Sequence, residues 1–112
     1  MKKLKRNLQN VNQLIVSEYK VTLLSKARKE FLIAFDWYEE QKDGLGDIFS
    51  LEIEQSLNLI RKNPNYYPFK SNPFKEFVVK RYPFIIVFKI KNSSNEIIIA
   101  SIFHTKRNPK LK

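Results

Sequence analysis

Apolar positions along this chain change their period, and each change marks an element. Tyr19-Lys20-Val21-Thr22-Leu23-Leu24 alternates and is β-prone, which predicts a strand. From Ala27 the period lengthens. Ala27, Phe31, Ala34, Phe35 and Tyr38 share one helical face, and Ser25 stands before them as the expected N-cap. Glu30, Asp36, Glu39 and Glu40 fall off that stripe and are expected in solvent. Asp43-Gly44-Leu45-Gly46 stops the helix, because Gly44 is free to adopt left-handed backbone. A second helix begins near Asp47, whose carboxylate suits the positive end of the helix dipole. Its buried stripe is Phe49, Ile53, Leu57 and Ile60, with Ser56 between, and it ends at Asn63-Pro64, since a residue before proline avoids the α region.

After an irregular, proline-rich crossing over residues 65–73, the period falls to two. Phe74 to Lys80, Phe84 to Lys91 and Glu96 to Phe103 read as strands, and Asn92-Ser93-Ser94-Asn95 as a hairpin turn. Pro83 demands a bend or an edge position. The order β-α-α-β-β-β predicts an α+β domain over residues 19–112, with a helical hairpin packed on one face of a small, mainly antiparallel sheet. In residues 1–18 only Leu4, Leu8, Val11 and Ile15 fall at helical spacing. That segment reads either as a disordered extension or as a loose amphipathic helix.

Composition narrows the chemistry. The 112 residues make one domain, and an apolar share of 43% is enough for a core. The absence of cysteine excludes disulfides, thiolate nucleophiles and cysteine-type zinc sites, and a single histidine excludes paired-histidine metal sites. No metal and no cofactor is expected. The apolar run Leu14-Ile15-Val16 is far short of the roughly 7–15 residues of an export signal. Nothing approaches the ~18 apolar residues of a membrane span. A cytoplasmic protein with no membrane partner is the expectation.

Charge is unevenly spread. Of the net +10, residues 1–20 carry +4, residues 21–69 carry −2 and residues 70–112 carry +8. So basic a C-terminal third points to an anionic partner: nucleic acid, a ribonucleoprotein or an acidic protein segment.

The ordered set of elements and local motifs resembles the RelE/ParE superfamily of toxins from type II toxin–antitoxin pairs. The resemblance rests on the opening strand with Ser25-Lys26-Ala27, the helix ending Trp37-Tyr38, the Gly44-Leu45-Gly46 junction, Phe49, and the Asn63-Pro64 stop. It continues through Lys80-Arg81-Tyr82-Pro83-Phe84, the Ile-rich last strand, and His104-Thr105-Lys106-Arg107-Asn108-Pro109. The Arg-Tyr-Pro-Phe element and the ending look most like the ParE, or plasmid-stabilisation, branch. The resemblance implies a cognate antitoxin and growth arrest through a large target, either DNA gyrase as for ParE-like members or ribosome-bound mRNA as for RelE-like nucleases. A toxin fold kept only as an inactive binding protein is the remaining reading.

Metal-free RNA cleavage needs a proton acceptor for the 2′-hydroxyl, cations around the phosphorane and an acid for the leaving oxygen. Under a nuclease reading, Arg81, His104 and Lys80 are the catalytic candidates, with Glu76 also weighed as base. By alternation Arg81 shares a face with Phe77 and Val79, and Lys80 shares one with Glu76 and Val78. Arg81 reads either as an anion clamp or as a structural partner of Asp36 or Glu39. His104 follows Ile98, Ala100 and Ile102 on one face of the last strand. It reads either as general acid or as a half-buried residue closing the strand through a backbone hydrogen bond. RelE-like nucleases more often rely on a tyrosine after this strand, whereas nothing aromatic follows Phe103. This favours the ParE-like reading. Target contact is then expected from Arg81, Lys106, Arg107 and Lys110, and antitoxin contact from the off-stripe residues Leu32, Ile33, Leu51 and Leu59. Trp37 and Tyr38 are expected to pack the helices on the sheet, and Tyr66 and Tyr67 to anchor the crossing.

Overall fold

The computed structural model describes residues 19–106. In chain order it contains β1 (Lys20–Leu23), α1 (Ser25–Gln41), α2 (Leu45–Lys62), β2 (Phe69–Ser71), β3 (Phe74–Val78), β4 (Phe84–Lys91) and β5 (Glu96–His104). The strands form one sheet in the order β1-β5-β4-β3-β2. Among the described residues only β1 and β5 pair parallel, and every other pair is antiparallel. This is the expected helical hairpin on a mainly antiparallel sheet, with one addition. Inside the crossing, the short edge strand β2 pairs with β3.

The core lies between the hairpin and the inner face of the sheet. Phe84, Ile86 and Phe88 of β4 and Ile97, Ile99 and Ile102 of β5 are buried there against Ala27, Ala34, Phe49, Ile53 and Ile60. Alanines on α1 let that helix lie close to the strands. Phe49 is the hub, its ring 5.0 Å from Tyr38, 5.2 Å from Phe84, 5.4 Å from Tyr82 and 5.7 Å from Phe31. Full burial of such a ring contributes about 1.5–3 kcal/mol.

Local polar groups depart from the simple pattern. Ser25 is the first helical residue rather than the cap: Leu24 takes the N-cap position, no side chain caps the helix, and the Leu24 carbonyl accepts from Arg28 N–H. Glu39 is not solvated as expected. Its carboxylate crosses to the start of α2 and accepts from Gly44 N–H at 2.9 Å and Gly46 N–H at 2.8 Å. It thereby satisfies amides that a helix start leaves unpaired. Gly44 adopts left-handed backbone (φ 93°) as the N-cap of α2. A Cβ on Gly46 would meet Glu39 Oε1 at 2.7 Å, so only glycine allows this close approach.

Glu30 was also expected in solvent, and it too is used. Because β1 stops at Leu23, the edge of β5 would be bare beyond Ile99. Glu30 Oε1 covers it, accepting from Ile102 N–H at 2.8 Å and from the Ser101 hydroxyl at 2.9 Å. A bulge in β5 explains another departure. Phe88 pairs with Ile99 and Val87 with Ser101, which leaves Ala100 as the extra residue. The alternation shifts there by one position. His104 therefore lies opposite Phe84 on the inner side, not on the face of Ile98, which lies opposite Lys89.

Candidate functional site

Two regions present unusual chemistry: the turn between β3 and β4, and the outer face of the sheet. β3 ends at Val78 rather than Lys80, and the chain reverses through Val79–Pro83. Val79 N–H donates to the Phe84 carbonyl, Phe84 N–H to the Tyr82 carbonyl, and Thr105 N–H to the Pro83 carbonyl. Tyr82 is wedged edge-on against Tyr38 and Phe49, 5.4 Å from each. This brace holds Arg81 in left-handed backbone (φ 67°). Such backbone costs a residue bearing a Cβ about 1–2 kcal/mol.

The turn removes Arg81 from the Phe77–Val79 face expected by simple alternation. Its side chain is 77% exposed, and its guanidinium lies 3.9 Å from Glu52 Oε1. The helix partner is thus Glu52, not Asp36 or Glu39. Glu52 is only 15% exposed, but the pair is long and its guanidinium end stands in solvent, which limits its contribution to about 1 kcal/mol. Lys80 is exposed beside it.

His104 is half-buried. Its ring stands edge-on to Phe84, 4.8 Å away, and Nδ1 accepts from Lys106 N–H at 3.1 Å.

On the outer face, Ile85, Val87 and Phe103 floor a groove of about 380 Å³, with Lys26, Lys70 and Glu76 around it and Ser101 at its base. Lys26 is engaged by Glu30 at 2.9 Å and by the Ser101 hydroxyl at 3.2 Å. Glu76 thus joins this groove, which Arg81, Lys80 and His104 do not line. At one end of the same face, the Thr22 hydroxyl donates to Glu96 at 2.7 Å. That bond, aided by Lys20 and Lys91, holds the Glu96 carboxyl below the usual glutamate range. Near the crossing, burial and then the neighbouring Tyr66 push the Tyr67 hydroxyl above its ordinary pKa. Among the described residues, no group of three His, Cys, Asp or Glu side chains gathers to hold a metal ion. No helix among them is long and apolar enough to cross a membrane.

Leu32, Ile33, Leu51 and Leu59 are exposed on the hairpin, and Ile48 joins them, a residue absent from the sequence-based set. Trp37 is exposed with its ring edge-on to Tyr38, so only Tyr38 packs into the core. Tyr67 anchors the crossing against Phe77 and Phe88, whereas Tyr66 is 74% exposed. Lys106 is exposed. Arg107, Lys110 and residues 1–18 lie outside the described residues. Sequence reasoning missed Lys75, which is buried with Nζ donating to the Tyr67 carbonyl at 2.7 Å and lying 4.0 Å above the Phe69 ring. Its one sequence signal is its place in the Lys75-Phe77-Val79 alternation.

The family model for the ParE toxin of the type II toxin–antitoxin system parDE matches residues 21–109. The chain belongs to this ParE toxin family. As a ParE-family member it shares its fold with several solved structures. A chain of the chromosomal ParDE toxin–antitoxin system of Pseudomonas aeruginosa superposes with a TM-score of 0.68 at 17% identity, covering 79% of this chain and 97% of that one. The isolated RelE toxin of Escherichia coli gives 0.60 at 12% identity, covering 81% and 88%. The RelBE2 toxin–antitoxin complex of Mycobacterium tuberculosis gives 0.53 at 13%, covering 78% and 91%. No curated protein matches the sequence. The ParE-like assignment drawn from the Arg81-Tyr82-Pro83-Phe84 element and the His104-Thr105-Lys106-Arg107-Asn108-Pro109 ending thus holds, and the chain is a ParE-like toxin of the type II class.

Proposed function

We propose that this ParE-family toxin arrests growth by binding a large enzyme, DNA gyrase, and that a cognate antitoxin neutralises it by covering the helical hairpin and the basic side of the sheet. The family match over residues 21–109 carries this reading. Geometry supports binding over RNA cleavage. Arg81 turns toward Glu52 on the hairpin, and His104 sits on the inner side against Phe84. The exposed Leu32, Ile33, Leu51 and Leu59 offer anchors for an amphipathic antitoxin helix. The +8 charge of residues 70–112 suits its acidic segment.

The test is inducible expression of wild type and His104→Ala, followed by growth, DNA-damage signalling and transcript mapping. Growth arrest with DNA-damage signalling is expected from both proteins. Ribosome-dependent transcript cleavage that vanishes in His104→Ala would instead establish the nuclease reading. With the product of the neighbouring reading frame as binding partner, Leu32→Asp and Leu59→Asp are expected to speed its dissociation.

A further inference from the structure

We infer that Arg81 is kept in strained backbone as a contact residue for a carboxylate on the toxin's protein target, with Trp37 as the apolar part of the same surface; this deepens, and rests on, the reading of the chain as a toxin that acts by binding. Three described residues adopt left-handed backbone: Gly44, Asn95 and Arg81. Two are of the types that tolerate it. Gly44 has no Cβ, and Asn95 closes the turn between β4 and β5, where asparagine is favoured. Arg81 is the exception, and its side chain returns little to the fold. It is 77% exposed, and among the described residues its one ion pair within 4 Å is the long contact to Glu52. A residue held against its backbone preference for so little packing points to use of the side chain itself.

The surroundings are rigid and select the partner. Tyr82, next in the chain, is locked by Tyr38 and Phe49. Trp37 follows one ring further on, 5.1 Å from Tyr38 and 47% exposed. An exposed indole at one end of this chain of rings and an exposed guanidinium one residue before Tyr82 are the residue types that dominate protein interfaces. The guanidinium fork fits a planar carboxylate or a phosphate equally well. The neighbouring charges separate these two. The helix ends that meet Tyr82 through Tyr38 carry Asp36, Glu39, Glu40, Asp43 and Asp47, and Glu52 lies under Arg81 itself; these acids outnumber the cations Lys42, Lys80 beside Arg81, and Lys106, next to the Thr105 that bonds to Pro83. A polyanion passing over this surface is repelled, whereas a single carboxylate beside an apolar contact is accommodated.

The experiment removes the side chain while relieving the backbone. Arg81→Gly and Arg81→Asn are compared with Asn95→Gly, which makes the same kind of change at the distant turn. Thermal melting, growth arrest on graded induction, and binding of a single-stranded oligoribonucleotide by anisotropy are measured. For both Arg81 variants the melting temperature is expected to stay level or rise by a few degrees. The induction needed for arrest is expected to rise at least about tenfold. Trp37→Ala is expected to weaken arrest in the same direction, and Asn95→Gly to leave it unchanged. A melting temperature that falls in both Arg81 variants makes Arg81 a structural arginine and overturns the inference. So does full growth arrest by a stable Arg81→Gly, which leaves the toxin reading standing. Arg81-dependent binding of the oligoribonucleotide gives the surface to nucleic acid and also overturns it. A wild-type chain that arrests no growth refutes the toxin reading itself, and this inference falls with it.

Discussion

The inner and outer faces of the sheet are made from alternate residues of the same strands, yet they do different work. Inward, Phe84, Ile86, Phe88, Ile97, Ile99 and Ile102 meet the hairpin and are almost wholly removed from water. Outward, Ile85, Val87 and Phe103 are equally apolar, but no described element covers them, and they remain as the floor of an open groove. Apolar character alone therefore does not mark the core of this protein. What marks it is the presence of a second layer, and the helices supply one on a single side. Polar groups differ in the same way. On the inner side a buried lysine is used up by the Tyr67 carbonyl and the Phe69 ring, while around the groove Lys70 and Glu76 stand in or near solvent.

The largest test of this contrast is Phe49→Ala. Removing the hub of the aromatic cluster is expected to cost about 3–5 kcal/mol in urea unfolding, whereas Val87→Thr on the outer face is expected to change stability by less than about 0.5 kcal/mol. Comparable losses from the two would erase the distinction between the faces. Next in size is Glu30→Ala, which strips the Ile102 amide and the Ser101 hydroxyl of their acceptor where the two faces meet. A loss of about 1–3 kcal/mol is expected, and Glu30→Gln, which keeps an acceptor oxygen, is expected to lose less.

The smallest effect lies at the end of the outer face, where Thr22 lowers the carboxyl pKa of Glu96. A carboxyl with a depressed folded-state pKa adds stability above its unfolded-state value. That stability is lost as pH falls through the folded-state pKa. Thr22→Val is therefore expected to reduce the loss of melting temperature on acidification below the ordinary glutamate range, with little change in how stability varies near pH 7. An unchanged acid profile in that variant would show that the hydroxyl is not what holds the carboxylate.

Regular patterns were legible in the sequence because they repeat. The stripe Phe49, Ile53, Ile60 and the alternation from Phe84 to Lys91 each state their period several times, and both elements form where the period predicts. Single events were not legible. One inserted residue, Ala100, shifts the phase of β5 and carries His104 to the inner side, and alternation counted from Ile98 has no means of sensing it. Glu30 and Glu39 read as solvated because helical phase reports only which way a residue points. Each is used because something lies within its reach, the bare edge of β5 or the amides of the glycine junction. Arg81 was legible as a candidate by its place at the end of the Phe77–Val79 alternation, in the Arg81-Tyr82-Pro83-Phe84 element. Its left-handed backbone was not, since arginine gives no signal for such a conformation.

The parallel pairing of β1 with β5 joins the first described strand to the last, and the Thr22–Glu96 contact spans 74 residues. During synthesis β1 emerges with no strand to pair with. Its partner arrives only after those 74 residues have been added, about 4–15 s later at 5–20 residues per second. Until then α1 lacks β5, and the Glu30 carboxylate has no edge to cover. A ribosome that stalls before Glu96 therefore releases a chain that lacks β5 and its pairings with β1 and β4, so the described sheet cannot close until that strand has been made. For a ParE-family toxin, that ordering ties every property of the folded state to the synthesis of its last described strand.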